Sequence, residues 1–348
     1  FVDTMNPGLT AEGLAATDKF LTSDDIDFTT DMLIAMRPAA WYGWEARDGK
    51  TVLGADVFVQ PDAPVLDFFE SGSGTEADPW VIQNPDQLKA FAASFAKTDY
   101  SGKYIVLGAD IDLAGEAWTP IGHLANGTQA FRGSFDGQGH KISNMAIGSK
   151  TAPVSAEQRV YFGLFAALMN GSVVENLGME NVSIHLMADK ESAIGGALAG
   201  CCDLAIINNC WATGDITVRT EDGEYKNNSF TGGLIGYIST TYNSIEGMTE
   251  PLHVNRCYNA GYVWCRNRTT HAGVFGDGFT STMTPEKPSD TAFTNAYSDN
   301  QATGLLDDVY GRATTFFTGA TLPAGFTSTA WTASAGRYPV LKAFADSR

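Results

Sequence analysis

Four segments in the middle of the chain repeat one pattern, a glycine followed by small and apolar residues: Gly163-Leu-Phe-Ala-Ala-Leu, Gly196-Ala-Leu-Ala-Gly, Gly233-Leu-Ile-Gly-Tyr and Gly273-Val-Phe-Gly-Asp. Successive glycines lie 33, 37 and 40 residues apart. A second apolar stretch follows each: Val173-Val-Glu-Asn-Leu-Gly-Met, Ile206-Ile-Asn-Asn-Cys-Trp-Ala, Val254-Asn-Arg-Cys-Tyr-Asn-Ala and Phe293-Thr-Asn-Ala-Tyr-Ser, with an earlier copy at Lys141-Ile-Ser-Asn-Met-Ala-Ile. In this stretch one apolar residue stands two places before an Asn-like position and another just after it. That suits a strand bending at a corner, with Leu177, Cys210, Cys257 and Ala296 at equivalent inward positions. A unit this short cannot bury its apolar face alone, whereas copies above and below cover it and pair its backbone. Repeats of this period mark stacked arrays or propellers. A propeller blade needs four strands and regular hairpin turns in each repeat, which the segments do not offer. The expected fold is all-β, a right-handed parallel β-helix over residues 71–348.

Before the first repeat the period changes. In Asn84-Pro-Asp-Gln-Leu-Lys-Ala-Phe, Asn84 is placed as N-cap, Pro85 at the first helical position and Gln87 to close a capping box. Leu88, Phe91, Ala92 and Phe95 form one apolar stripe. The spacing predicts a helix near 84–97 that covers the open end of the stack, where unpaired strand edges invite aggregation. Residues 1–70 do not follow the repeat, and Ser71-Gly-Ser-Gly-Thr reads as a linker after a small domain or arm. That part carries Trp41, Tyr42 and Trp44, and a strand is expected from Thr51.

Composition narrows the partners. A formal net charge of -18 argues against a phosphate backbone or an anionic bilayer, which reward Lys and Arg. No apolar run approaches the roughly 18 residues of a membrane span. The chain opens at Phe1 with neither an initiator Met nor a basic-then-apolar segment, which suggests a processed form or an excised domain. The five cysteines, Cys201, Cys202, Cys210, Cys257 and Cys265, are odd in number and form no C-x-x-C pair, so buried structural thiols are expected.

The stretch from Trp80 to about Ile184 resembles the GLUG-repeat family of bacterial surface proteins, including the β-helical segment beside the catalytic part of immunoglobulin A metallopeptidases. The resemblance is carried by Tyr104-Ile-Val-Leu-Gly-Ala-Asp-Ile-Asp-Leu, Trp118-Thr-Pro-Ile-Gly, Phe131-Arg-Gly-Ser-Phe-Asp-Gly-Gln-Gly-His-Lys-Ile-Ser-Asn, Gly163-Leu-Phe and Val174-Glu-Asn-Leu-Gly. Weaker copies continue to Phe275, and Trp331 with Arg337-Tyr-Pro-Val-Leu-Lys-Ala-Phe looks like the ending of such helices. The resemblance implies an exported protein of the bacterial cell surface with an adhesive or scaffolding role, and it implies no catalytic residue. The zinc-binding H-E-x-x-H of the metallopeptidases is not formed by His123, His140, His185, His253 or His271.

Several constellations carry both a chemical and an architectural reading. Asp110, Asp112 and Glu116 beside His123 suit acid-base work on a glycosidic bond or Ca²⁺ binding, or else caps on the corners of the first repeat. Asp136 and His140 are spaced for a proton shuttle, yet Asp-Gly followed by Gln-Gly is also a double turn. Asp112, Asp136 and His140 are the catalytic candidates. Trp41, Tyr42 and Trp44 are the candidates for ligand binding, by stacking on sugar rings, or else core residues of a small domain. The sequons at Asn126, Asn170, Asn181, Asn227 and Asn267 are short matches and no glycan is expected. No Walker A loop, G-x-S-x-G elbow or metal motif is present, so no cofactor and no metal are expected.

The leading expectation is an extracellular adhesion or scaffold module that binds a host glycan or protein. Its binding surface would be the loops between repeats, near Lys150–Arg159, Arg219–Ser229 and Ser239–His253. A glycan-degrading enzyme, lyase or hydrolase, would instead bring two or three carboxylates, or a carboxylate and a basic residue, together on neighbouring repeats. A filament subunit would bind copies of itself through the N-terminal arm.

Overall fold

Apolar residues at two-residue spacing, broken every few positions by Gly or Asn, build short strands that pair with the next repeat rather than with their sequence neighbours. The computed structural model describes residues 43–47, 50–54 and 67–343, apart from 125–126, 156–159, 170, 189–191, 220–228, 239–252, 266–270, 276–292, 307 and 309. The chain divides into two compact units, Phe1–Val65 and Leu66–Arg348. In the first, Gly43–Arg47 and Lys50–Gly54 form an antiparallel hairpin with Arg47 opposite Lys50.

The second unit is mostly β, with long parallel sheets. The largest runs through Trp80–Ile82, Tyr104–Leu107, Ser134–Asp136, Val173–Met187, Ile206–Arg219, His253–Asn259, Phe293–Asp299 and Gly311–Arg312 in chain order. Every neighbouring pair in that run is parallel. Two further parallel sheets take the glycine units: Val160–Phe162, Ala193–Gly195, Phe230–Gly232 and His271–Ala272 in one, Phe165–Met169, Ala199–Asp203 and Ile235–Ile238 in the other. Val160–Phe162, Phe165–Met169 and Val173–Met187 thus go to three different sheets, as do Ala193–Gly195, Ala199–Asp203 and Ile206–Arg219 after them. Leu164, Leu168, Val174, Leu177, Ile184, Leu198, Ile207, Cys210, Leu234 and Val254 are all fully buried in the core.

The register places Leu177 opposite Cys210 and Cys257 opposite Ala296, as the spacing predicts. The bend between the flanking apolar residues has a backbone cause. Asn176, Asn209, Arg256 and Asn295 take φ of 51, 50, 52 and 56°, the left-handed region where Asn is tolerated and most residues are strained. An ordinary strand would aim residues two before and one after to opposite faces. A left-handed residue between them turns both inward, and Val174 and Leu177 are each fully buried.

Two equivalences read from the sequence shift in the structure. Lys141–Ser143 pairs with Gly178–Glu180, and the partner of Val173–Glu175 is Ser134–Asp136. The Asn-with-apolar-flanks pattern recurs at a second corner, marked by Asn144 and Asn181 with φ of 57 and 53°, and the two corners read alike. Likewise Gly195 faces Thr231 and Ala199 faces Ile235, which sets Ala197 rather than Gly196 level with Gly233. The bend between Gly195 and Ala199 holds one residue more than the bend of the preceding repeat, since Phe162 faces Gly195 but Phe165 faces Ala199.

The helix runs Pro85–Ser94. Asn84 Oδ1 accepts from the Gln87 N–H at 3.0 Å, while Gln87 Oε1 reaches one residue further back than a capping box, to the Gln83 N–H at 2.7 Å. Leu88, Phe91 and Phe95 are buried, and Phe91 packs on Phe69, Tyr100, Phe131 and Phe135. The outer edge of the first strand is also occupied: Glu70 N–H donates to Val81 O and Val81 N–H to Ser71 O, at 2.8 and 3.0 Å. At the other end the chain folds back as an antiparallel hairpin, Trp331–Ser334 with Arg337–Leu341. The hairpin buries Trp331 and Leu341 in a second apolar cluster with Trp211, Tyr258, Phe317 and Phe326, outside the main core.

Candidate functional site

The carboxylates singled out by the sequence stand at the head of two stacks of amides. Asp136 Oδ1 accepts from the Gln138 N–H at 2.7 Å and from Asn176 Nδ2 at 3.0 Å. Asn176 Oδ1 then accepts from Asn209 Nδ2 at 2.9 Å, and Asn209 Oδ1 from Arg256 Nε at 2.9 Å. At the second corner Asp112 Oδ1 accepts from the Ala114 N–H at 2.8 Å and from Asn144 Nδ2 at 2.7 Å. Asn144 Oδ1 accepts from Asn181 Nδ2 at 2.7 Å, and the Asn181 N–H donates to Thr213 Oγ1 at 2.9 Å. The side chain of Asn144, helped by the Ala114 N–H, holds the Asp112 carboxyl below the usual carboxylate range. Such a group is a good acceptor and a poor general acid.

Asp136 and His140 do not pair as a proton shuttle would require. His140 Nδ1 lies 3.0 Å from Asp110 Oδ1, which also accepts from the Lys141 N–H at 3.2 Å. Nor does the acidic group beside His123 assemble: Glu116 pairs with Lys89 at 2.5 Å, and His123 stacks on Phe162. Burial lowers the His123 pKa, and its Nδ1 is buried without a hydrogen-bond partner. The residue that spacing alone did not single out is Glu175. It stands in register with Asp136, and burial first, then the Asp136 charge, raises its pKa while Arg256 lowers it. The signal was available only through register, because Asp136 and Glu175 are neighbours across repeats and not along the chain.

Trp41 and Tyr42 lie outside the described residues, and Trp44 stands opposite Leu53 in the N-terminal hairpin. Of the three loop regions, residues 156–159, 220–228 and 239–252 lie outside the described residues as well. Lys150, at the base of the first, pairs with Asp215 at 2.6 Å. All five cysteines are buried, and burial drives the Cys202 and Cys210 pKa values well up. Such thiols are inert as nucleophiles and as metal ligands. Among the described residues no group of three or more His, Cys, Asp or Glu is placed to hold a metal ion.

One column of side chains escaped the sequence reading altogether. Gly178, Trp211, Tyr258 and Tyr297 follow one another in register on the outer face of the largest sheet. A Cβ on Gly178 would stand 2.5 Å from the Trp211 ring, so glycine there gives the indole its seat. The C-terminal segment lies over this column, with Tyr258 Oη donating to Pro339 O at 2.7 Å and Tyr297 Oη to Ala324 O at 3.2 Å.

No protein-family model matches the chain. Over 197 residues, 54% of its length, the chain is 29% identical to Halomucin of Haloquadratum walsbyi, and that stretch is 2% of Halomucin. Among solved structures it is similar to a Bacteroides ovatus chain named for an immunoglobulin A1 protease, with a TM-score of 0.45 and 17% identity over 80% of this chain and 96% of that one.

Proposed function

We propose that Leu66–Arg348 is a right-handed parallel β-helix of the GLUG-repeat kind, and that the protein is an extracellular cell-surface adhesion or scaffold module. In this reading the loops between repeats meet a host glycan or protein. The observation that carries it is the use made of the polar corner residues. Asp112, Asp136 and the asparagines above them bond to one another from repeat to repeat, so groups that an enzyme would aim at substrate hold the stack together. The match to Halomucin, of which this stretch is a small part, fits a module of a long chain. Binding of the full chain to glycan and host-protein arrays tests the reading. Retained signal for one ligand class, lost when 220–228 and 239–252 are replaced by short Gly-Ser links, is the expected result. Failure to bind any array member, or binding indifferent to both replacements, would count against it.

A glycan-degrading activity is the second reading, supported by Asp136 and Glu175 on adjacent strands with Arg256 close enough to act on Glu175. It requires reducing-end release from acidic or neutral glycans that Asp136→Asn or Glu175→Gln abolishes. Self-assembly into filaments has less support, because the Glu70–Ser71 segment and the Pro85–Ser94 helix already close the N-terminal edge.

A further inference from the structure

The C-terminal hairpin does more than finish the chain. In a stack of repeats each unit touches only the next, so stability is a sum of unit and neighbour terms and the ends open by themselves. Here the last segment crosses that order. Trp331, buried to 1% exposure, donates its indole N–H to Asn209 Oδ1 at 3.2 Å, a partner 122 residues earlier. Tyr258 Oη meets Pro339 O at 2.7 Å across 81 residues, and Tyr338 Oη donates to Asp299 Oδ2 at 2.6 Å. The far end of the hairpin reaches the repeat of Gly139: a Cβ there would stand 1.9 Å from Lys342 O, so the backbones touch. Gly139 itself has φ of 83°, the conformation that admits this approach. The segment therefore touches the repeats of Gly139, Asn209, Tyr258 and Asp299 in one sweep, and its apolar cluster with Trp211 and Tyr258 is separate from the main core.

We infer that the C-terminal hairpin is a clamp that couples the early and late repeats, so that a nearest-neighbour stack opens as one cooperative unit. The clamp acts through Asn209 in particular. That amide accepts from Trp331 as well as from Arg256, which joins the inner stack of corner amides to the outer strap.

Hydrogen exchange read by mass spectrometry, with urea unfolding of the full chain, tests this. In the native chain the Leu66–Arg348 unit is expected to unfold in one transition, with Tyr104–Leu107, Val173–Met187 and Phe293–Asp299 sharing a common slowest exchange. In Trp331→Ala, exchange in His253–Asn259 and Phe293–Asp299 should accelerate at least about tenfold more than in Tyr104–Leu107, and unfolding should split in two. Tyr258→Phe, which keeps the ring and removes the bond to Pro339, should give the same split to a smaller degree, and it answers the question should the tryptophan variant not fold. The clamp is overturned by a native chain that already unfolds from its C-terminal end. It is equally overturned by variants in which all strands lose protection together or none does.

Discussion

At the residue scale the corners decide the fold, because each asks one side chain to take a left-handed backbone and also to bond the repeat above or below. Asn meets both demands, since it tolerates positive φ and its amide both donates and accepts. Asn209 is the most connected of them, bonded to Asn176, Arg256 and Trp331. Asn209→Ala leaves those three polar groups short of a partner and puts an alanine at φ of 50°, which should cost about 2–4 kcal/mol in urea unfolding. Asn209→Gly removes the strain but loses the same side-chain bonds, so its stability should fall between those of the native chain and Asn209→Ala; equal loss in both variants would show that backbone strain contributes nothing. A second residue sets a pH dependence. Asp203 is 2% exposed, its Oδ2 has no partner, and burial raises its pKa from 3.8 to about 6. The folded chain then holds a proton that the unfolded chain has released, so this contribution is complete below the unfolded pKa and is lost as pH rises to about 6. Asp203→Asn should flatten the stability profile across that window, and an unchanged profile by chemical unfolding would refute the assignment. The Asn-like position was legible from its apolar flanks. The amide stacks were not, because their members stand one repeat apart and two corners carry the same pattern.

Elements differ in how far their cause lies within reach of local sequence. The Pro85–Ser94 helix was readable because cap, proline and stripe all lie inside a dozen residues. Only the partner of Gln87 differed, and that depends on how the preceding chain enters. Its job as an end cover rests on Phe91, which has rings on every side and no exposed surface. Phe91→Ala should cost about 3–5 kcal/mol, the usual loss for a buried aromatic. The cover role adds an expectation beyond that loss: apolar dye binding should rise in the variant while the far-ultraviolet circular dichroism stays native, since the first strand is uncovered without unfolding the rest. A variant that loses stability with no new dye-accessible surface would mean that the remaining rings close the end on their own. By contrast, the docking of the Trp331–Leu341 hairpin was invisible in the sequence. Trp211, Tyr258 and Tyr297 read as ordinary members of a strand, and only the parallel register lines them into the face that the hairpin covers.

For the whole molecule, period and glycine spacing carried the parallel stacking, whereas charge carried information about conditions more than about partners. A net charge of -18 makes the compact state repel itself, and exposed ion pairs such as Lys89–Glu116 and Lys141–Glu180 return little of that cost. Screening weakens both effects, but repulsion sums over many carboxylates while few pairs among the described residues oppose it. Raising NaCl from about 0.05 to 1 M should therefore increase Tm by at least about 3 °C, which corresponds to roughly 1 kcal/mol in a domain of this size. Near pH 4.5, the isoelectric point of the sequence, the net charge vanishes and the same salt step should have a much smaller effect. Thermal melts followed by circular dichroism at the two pH values separate this from a general action of salt on apolar burial, which would raise Tm alike at both. Equal increments would assign the effect to burial, and a decrease near neutrality would mean that the ion pairs outweigh the repulsion.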